Sequence, residues 1–218
     1  MKVTCETCGR IVAANIDGTA RRHLVSPYGT GSRTFERGVC GGSDLAGILF
    51  SDPMVRAILE GRKSVTRRNS EAWMRLRKGD RLWVREVFVG STSIAESGDA
   101  VMVGPYRYRS TEPGPGPWRS SMLMPFTASR ILLQLTEDPR REPVRIISDE
   151  EAIREGAYQV QGGLWTLGFP VLPQGDYTPR AAFHTAWDYL HGSWDTAEPV
   201  RLAFERIGDA GHPYPKSV

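Results

Sequence analysis

Hydrophobic and polar positions alternate in several short segments of the chain, a pattern typical of strands with one buried face. In "GDRLWVREVFVG" (79–90), one face carries Leu82, Val84 and Glu86, and the residues between them form the other face. The Gly-Asp pair at its start predicts a turn before this strand. Further strands are predicted at "GILF", "AVMVGPYRYR", "SRILLQLTED" and "PVRLAFERI".

Helical patterns occur in three other segments. In "SDPMVRAILEGRK" (51–63), Asp52 is predicted to cap a helix, Pro53 to occupy its first position and Gly61 to end it. In "SDEEAIREGA", Ser148 stands three residues before Glu151, which is the capping-box spacing. The segment "PRAAFHTAWDYLHG" carries one broad apolar stripe, made of Ala182, Phe183, Ala186, Trp187 and Leu190.

The order of these elements indicates the fold class. The strands outnumber the helices and do not alternate with them, and no glycine-rich phosphate-binding loop follows a strand. We therefore predict an α+β fold, a small β-barrel with flanking helices, rather than a doubly wound sheet. Between the strands, "STEPGPGPWRSSMLMPFTAS" is rich in proline and glycine and is predicted to form a long loop.

Composition narrows the class of protein. Of the 218 residues, 40% are hydrophobic and 24% are charged, which is typical of a globular chain and argues against intrinsic disorder. The net charge of +3 is too small for a surface coated in nucleic acid but allows one basic groove. No apolar run approaches the roughly 20 residues that cross a bilayer, and the N-terminus lacks a secretory signal. We therefore expect a cytoplasmic protein with no membrane partner.

The cysteines indicate a metal site near the N-terminus. Cys5 and Cys8 form a C-x-x-C knuckle, and His23 and Cys40 follow. A Cys3His set suits a structural zinc ion, because protein ligands fill all four tetrahedral positions. Residues 1–43 contain few large apolar side chains, so metal binding would stabilise their fold. The alternatives are a redox C-x-x-C pair or thiols unrelated to the histidine.

The same region defines a boundary. The residues between the knuckle and His23 are predicted to form a hairpin with its turn at 17–18, an Asp-Gly pair. Near Ser43 the segment that is poor in large apolar side chains ends, and the predicted strands and helices begin. We therefore predict a zinc-binding hairpin module (1–43), a main domain (44–208) and a C-terminal tail (209–218).

A basic segment, "LEGRKSVTRRNS" (59–70), spans the end of the first predicted helix. Lys63 and Thr66 lie three residues apart, so a tight turn brings an ammonium beside a hydroxyl, a pairing that can activate oxygen or hold an anion. Arg62, Arg67 and Arg68 add positive charge around them. The alternative is a solvated basic turn.

Several segments resemble a known family. In order, "ILEGRKSVTRRNS", "KGDRLWVRE", "ISDEEAIREGA" and "VRLAFERI" resemble the ASCH domain, a PUA-like β-barrel related to RNA-binding modules. "ILFSDPMVRAILEGRKSVTRR" and "SSMLMPFTASRI" are similar to the phage and prophage ASCH proteins often labelled morphogenetic. The resemblance covers roughly residues 46–207. Its most specific element is G-x-K-x-x-T-x-R, which Gly61, Lys63, Thr66 and Arg68 match.

The resemblance implies a reaction known from small bacterial members of the family, the amidohydrolysis of N4-acetylcytidine. Lys63 and Thr66 match the family's lysine and threonine through this motif, and "SDEEAIREGA" places Glu155 opposite the family's glutamate. Thr66 would attack the acetyl carbonyl, Lys63 would take its proton, and Glu155 would pass a proton to the leaving amine.

Other residues are candidates for ligand binding. Arg62, Arg67 and Arg68 would supply charge for a phosphate or carboxylate. Trp118, in a polar loop, would stack on a base or else be buried like most tryptophans. The partner would be RNA, DNA or a modified nucleoside, in a bacterial or phage-infected cell. The alternative function is an RNA- or DNA-binding module without chemistry, because PUA-like barrels host both.

Overall fold

The structure, a computed structural model, describes residues 2–4, 11–13, 45–94, 100–169 and 175–208. The strands are β1 (Lys2–Thr4), β2 (Ile11–Ala13), β3 (Leu45–Leu49), β4 (Val65–Arg68), β5 (Arg81–Arg85), β6 (Phe88–Ile94), β7 (Ala100–Tyr108), β8 (Leu132–Leu135), β9 (Arg140–Arg141), β10 (Tyr158–Gln159), β11 (Trp165–Thr166) and β12 (Val200–Arg206). The α-helices are α1 (Asp52–Leu59), α2 (Asp149–Arg154) and α3 (Pro179–His191). Short 3-10 helices cover Glu71–Arg75, Ser121–Leu123, Phe126–Ala128 and Val144–Ile146.

The main sheet has the strand order β3-β5-β8-β12-β4, and β9 also pairs with β12. β3 and β5 run parallel, and the other pairs are antiparallel. β3 and β4 stand at opposite ends of this order, yet the guanidinium of Arg68 donates to the carbonyl of Leu49 at 2.6 Å. The sheet is therefore curled into a half-barrel, and the fold is of the predicted mixed α+β type.

The alternation predicted around β5 is confirmed for one face only. Leu82, Val84 and Glu86 are buried as predicted, but Trp83 on the other face is buried too, and Arg85 and Val87 beside it are half-buried. The buried apolar residues join those of the neighbouring strands and helices in one core that runs from Ala46 to Phe204. Inside it, the rings of Phe50 and Phe204 lie 6.2 Å apart.

The helix α1 corrects one detail of the sequence analysis. Ser51, not Asp52, is the N-cap, because Ser51 has extended backbone angles while its carbonyl already accepts the amide hydrogen of Val55 at 2.9 Å. Asp52 is the first helical residue, followed by Pro53. Gly61 has a φ of +75°, which few other residues adopt, and it lies just past the end of the helix as predicted.

The other two helices pack together against the sheet. The hydroxyl of Ser148 accepts the Glu151 amide hydrogen at 3.2 Å, as the capping box predicts for the start of α2. α3 buries Ala182, Phe183 and Trp187 of the predicted stripe. Leu190 is an exception: it lies in the last turn of α3 and is 47% exposed.

Two-stranded ribbons complete the described structure. β6 and β7 pair with each other, and Phe88 packs with Met124 and Ala128 in a small second core. β1 pairs with β2, with Val3 opposite Val12, whereas the turn predicted at 17–18 lies outside the described residues. No helix of the described part of the chain is long and apolar enough to cross a membrane.

Candidate functional site

Lys63 and Glu155 form a buried ion pair between the end of α1 and the end of α2. Lys63 Nζ donates to Glu155 Oε2 at 2.9 Å, to the Glu155 carbonyl at 2.6 Å and to the Val65 carbonyl at 2.8 Å. These contacts engage all three ammonium hydrogens. The side chains of Lys63 and Glu155 are only 2% and 4% exposed.

Backbone hydrogen bonds hold this pair in place. The amide of Lys63 donates to the Ala57 carbonyl at 3.0 Å, which folds the chain back on α1 after the Gly61 turn. The next amide, that of Ser64, donates to the Arg154 carbonyl at 2.9 Å. The segment before β4 is therefore fastened to the last turn of α2, and residues 92 positions apart in the sequence meet.

The environment lowers the pKa of Lys63. Burial is the largest cause, because it disfavours the charged ammonium, and the positive charges of Arg68 and Arg67 act in the same direction. The carboxylate of Glu155 opposes the shift. A lysine with a lowered pKa spends more time as a neutral amine, the form that can accept a proton.

Thr66 is buried in the middle of β4, opposite Leu202 of β12. Strand alternation places it on the same face as Arg68 and on the face opposite to Arg67. The ring of Phe50 lies 5.6 Å from Lys63 Nζ and 4.9 Å from the Arg68 guanidinium. The structure thus brings Lys63 and Glu155 into contact, while Thr66 is not among the hydrogen-bond partners of Lys63.

Arg67, a predicted ligand-binding residue, is buried in a network of ion pairs. Its side chain is 1% exposed. One terminal nitrogen donates to Glu155 Oε1 at 2.9 Å, and the other contacts Glu142 and, at 3.1 Å, Glu151. Three carboxylates from distant segments enclose the guanidinium, so a polynucleotide phosphate would have to displace them.

The sequence analysis missed the rest of this ion network. Arg201 of β12 pairs with Arg67 of β4 on one side and with Arg140 of β9 on the other. Arg201 donates to Glu151 Oε1 at 2.7 Å and to Glu137 Oε1 at 2.9 Å. Burial opposes the charged form of Glu151, but the hydrogen bonds and charge of Arg201 outweigh it and lower the pKa of this carboxyl. Strand register alone brings these arginines together, and a single sequence gives no signal of it.

The remaining candidate ligand-binding residues lie at the margin of the network. Arg62 is 33% exposed; it pairs with Glu60 and lies over the ring of Tyr158. Arg68 bonds to the Leu49 carbonyl, as described above. Both side chains are partly exposed.

Trp118 contacts its own loop. Its indole N–H donates to the Gly114 carbonyl at 2.8 Å, and the Arg107 guanidinium lies 5.9 Å from the ring. A Cβ atom at Gly116 would come within 3.0 Å of the indole nitrogen, so this backbone passes directly against the ring. These contacts favour a role in ordering the loop.

A second buried charge lies at Glu86, where the alternation of β5 predicts a buried position. Arg130 Nε donates to its Oε1 at 2.9 Å, and the Ser110 hydroxyl donates to its other oxygen. The same guanidinium lies 4.0 Å from the Tyr108 ring centroid. Burial, more than the neighbouring charges, raises the pKa of Tyr108 to about 12. This cluster fastens the long loop to the sheet.

The predicted zinc ligands Cys5, Cys8, His23 and Cys40 lie outside the described residues. Within the described ranges, no group of three or more His, Cys, Asp or Glu side chains could hold a metal ion.

Comparisons with known proteins give no match. A scan against protein families, a search of curated proteins and a search of solved structures each find no match.

Proposed function

We propose that the chain recognises a modified nucleobase or a nucleic acid through an ASCH domain, and that it hydrolyses an N4-acylated cytidine-like amide. One observation carries this proposal: Lys63 Nζ and Glu155 Oε2 meet at 2.9 Å although they are 92 residues apart in the sequence. These are two of the three residues to which the ASCH resemblance assigns the chemistry.

The proposed reaction has two halves, acylation of Thr66 and hydrolysis of the acyl-Thr66 ester, and Lys63 acts as the base in each. Neutral Lys63 takes the proton of the Thr66 hydroxyl, whose oxygen then attacks the acyl carbonyl. As the carbon–nitrogen bond breaks, the proton held by Lys63 passes through Glu155 to the leaving amine, which departs as the deacylated cytidine. Lys63 then deprotonates a water molecule, whose oxygen attacks the acyl group on Thr66; the ester bond breaks, the acyl group leaves as a carboxylate, and Lys63 returns the proton to the Thr66 oxygen. The lowered pKa of Lys63 favours its role as the base.

Burial sets a condition on this reaction. The ion pair is almost fully enclosed, so a substrate can reach it only if binding displaces part of its cover. Glu155 must also turn from Lys63 toward the leaving nitrogen. The alternative, a module that binds RNA or DNA without chemistry, is favoured by the complete hydrogen bonding of Lys63, which is typical of a structural ion pair.

A direct assay distinguishes the two functions. Purified full-length protein is incubated with N4-acetylcytidine, and the release of cytidine is followed. We expect turnover that is lost in Lys63→Met, which removes the amine, and in Thr66→Val, which removes the nucleophile. Lys78→Met and Thr92→Val, at exposed positions, are the matched controls and should keep full activity. Absence of turnover in the wild type would leave the binding module as the function, and full activity in Thr66→Val would exclude Thr66 as the nucleophile.

A further inference from the structure

Arg67 is the second cation at the carboxylate of Glu155. Its guanidinium donates to Glu155 Oε1 at 2.9 Å, and Lys63 Nζ donates to Oε2 at the same distance. Both Arg67 and Glu155 are buried. A buried carboxylate that receives one cationic donor on each oxygen cannot rotate without losing a strong hydrogen bond. Arg67 therefore fixes the orientation in which Glu155 meets Lys63.

Arg67 reaches Glu155 from the face of β4 opposite to Thr66. The two residues are neighbours in the strand, so their side chains lie on opposite faces of the sheet. On its own face, the Arg67 guanidinium lies 5.7 Å from the ring of Phe183 in α3. Arg67 thus contacts the glutamate of the proposed reaction without standing beside the proposed nucleophile.

The other two carboxylates around Arg67 each contact a second arginine. One terminal nitrogen of Arg67 contacts Glu142 and Glu151. A nitrogen of Arg201 lies 3.4 Å from a Glu142 oxygen, and another lies 2.7 Å from a Glu151 oxygen. Arg201 therefore shares the negative charge of these two carboxylates, and the other terminal nitrogen of Arg67 is left for Glu155.

The charge balance at this site depends on Arg67. In the part of the chain that the structure describes, the ion-pair partners of Glu155 are Lys63 and Arg67. Without Arg67, a neutral Lys63 would leave a buried carboxylate with no counter-ion, which is strongly unfavourable. An arginine side chain does not lose its proton in proteins, so with Arg67 the carboxylate keeps one cation when Lys63 becomes neutral. The proposed reaction needs this neutral amine as its base.

We propose that Arg67 is a positioning residue of the Lys63–Glu155 site, which orients the carboxylate of Glu155 and compensates its charge so that Lys63 can release its proton. As a contribution to catalysis, this role rests on the proposed function. The charge state of Lys63 can be measured without a substrate, so the role of Arg67 and the amidohydrolase reaction can be tested separately.

The charges that act on Lys63 come from two elements, the end of α2 and β4. Burial is the first cause of its lowered pKa, the carboxylate of Glu155 opposes the shift, and the charges of Arg68 and Arg67 act in the same direction as burial. Arg67 contacts Glu155, whereas Arg68 donates to the Leu49 carbonyl. The cations next to Lys63 and Glu155 in the sequence are paired elsewhere: Arg62 with Glu60 and Arg154 with Glu151.

The test follows the titration of Lys63 by NMR in the full chain, with lysine isotopically labelled at the ε carbon. The chain has four lysines, Lys2, Lys63, Lys78 and Lys216. The signal that disappears in Lys63→Met belongs to Lys63, and we expect it to titrate at a lower pH than the other three. In Arg67→Met it should titrate at a higher pH than in the wild type, because the carboxylate of Glu155 then depends on the ammonium for its charge compensation. Arg67→Lys keeps the positive charge and should return the titration toward that of the wild type.

A second variant decides the question even if Arg67→Met does not fold. Glu142→Gln removes a partly exposed carboxylate that contacts Arg67. Lys63 should then titrate at a lower pH than in the wild type, because negative charge has been removed from the network around it. A purely structural arginine would not move the Lys63 titration in opposite directions in the two variants. Arg81→Met, at an exposed position of β5, is the control and should titrate like the wild type.

The deacylation of N4-acetylcytidine measures the catalytic consequence. In Arg67→Met, kcat at neutral pH should fall about a hundredfold while KM changes little. Activity should recover as the pH is raised, because more of Lys63 is then neutral. Titration of Lys63 together with the other lysines, an upward or absent shift in Glu142→Gln, or a downward or absent shift in Arg67→Met would each overturn the role of Arg67. The expected shifts in a protein without turnover would support that role and refute the amidohydrolase reaction.

Discussion

The buried charges around Glu155 raise an energetic question at the scale of single residues. Moving Lys63, Arg67 and Glu155 out of water costs several kcal/mol per ion, and their mutual attraction compensates only because the geometry is good. Each carboxylate oxygen of Glu155 receives one cationic donor at 2.9 Å. Such a pair is weak evidence for a gain in stability, but removing one member leaves the others without compensation.

This arrangement predicts the effect of neutralising Glu155. Glu155→Gln should lower the free energy of unfolding by about 3–5 kcal/mol, because the Arg67 guanidinium cannot lose its proton and stays buried with less compensation. The control is Glu60→Gln, which removes the partner of Arg62 in an exposed pair with side chains 33% and 53% exposed. It should cost at most about 1 kcal/mol. Urea denaturation measures both, and equal costs would contradict the buried-pair account.

Sequence reasoning reached some of these residues and not others. Lys63 and Glu155 were assigned through the ASCH resemblance, and the structure places them in contact. Arg67 was assigned to ligand binding because it belongs to a basic run. Its burial depends on Glu142 and Glu151, which lie 75 and 84 residues away in the sequence. A local charge pattern carries no information about which distant carboxylates will cover it.

At the scale of elements, the two helix starts provide a matched comparison. Ser148 caps α2 with its hydroxyl, whereas Ser51 caps α1 without a side-chain hydrogen bond. Ser148→Ala should therefore lower the free energy of unfolding by about 1 kcal/mol, and Ser51→Ala should change it little. Thermal or urea unfolding of the two variants measures the difference. A cost at Ser51 that equals or exceeds the cost at Ser148 would contradict the assignment of the caps.

Local patterns of hydrophobic and polar residues predicted an element well where the apolar positions of the pattern are the buried ones. The period-two alternation of β5 placed Leu82 and Val84 in the core and marked Glu86 as buried. The same segment was predicted as one strand through residue 90, but the structure divides it into β5 and β6, which join different sheets. The two-residue strands β9, β10 and β11 were not predicted, because such short pairings depend on their distant partners rather than on periodicity.

At the scale of the whole molecule, the order of the strands in the sheet could not be predicted from the sequence. β4 follows α1 directly in the chain, yet it pairs with β12 near the C-terminus. This pairing places the basic segment at the end of the strand order, where the curl of the sheet brings it back to β3. The candidate site is therefore a product of the global topology: it forms where the first helix, the second helix and the last strand meet.

The N-terminal cysteines are predicted to bind zinc, and at the scale of the whole molecule the question is whether this binding stabilises the core. We predict that the purified chain, kept reduced, contains one zinc ion per molecule and that Cys8→Ser and Cys40→Ser abolish it, because each removes a thiolate ligand. His191→Ala, at an exposed position of α3, is the control and should keep the metal. The described core runs from Ala46 to Phe204, so chelation should leave its unfolding transition unchanged. Elemental analysis and thermal unfolding with and without chelator measure both effects.

A chain without zinc would exclude the site, and zinc retained in Cys8→Ser would place the metal elsewhere. A loss of zinc that also lowers the melting temperature of the core would show that the two parts fold together.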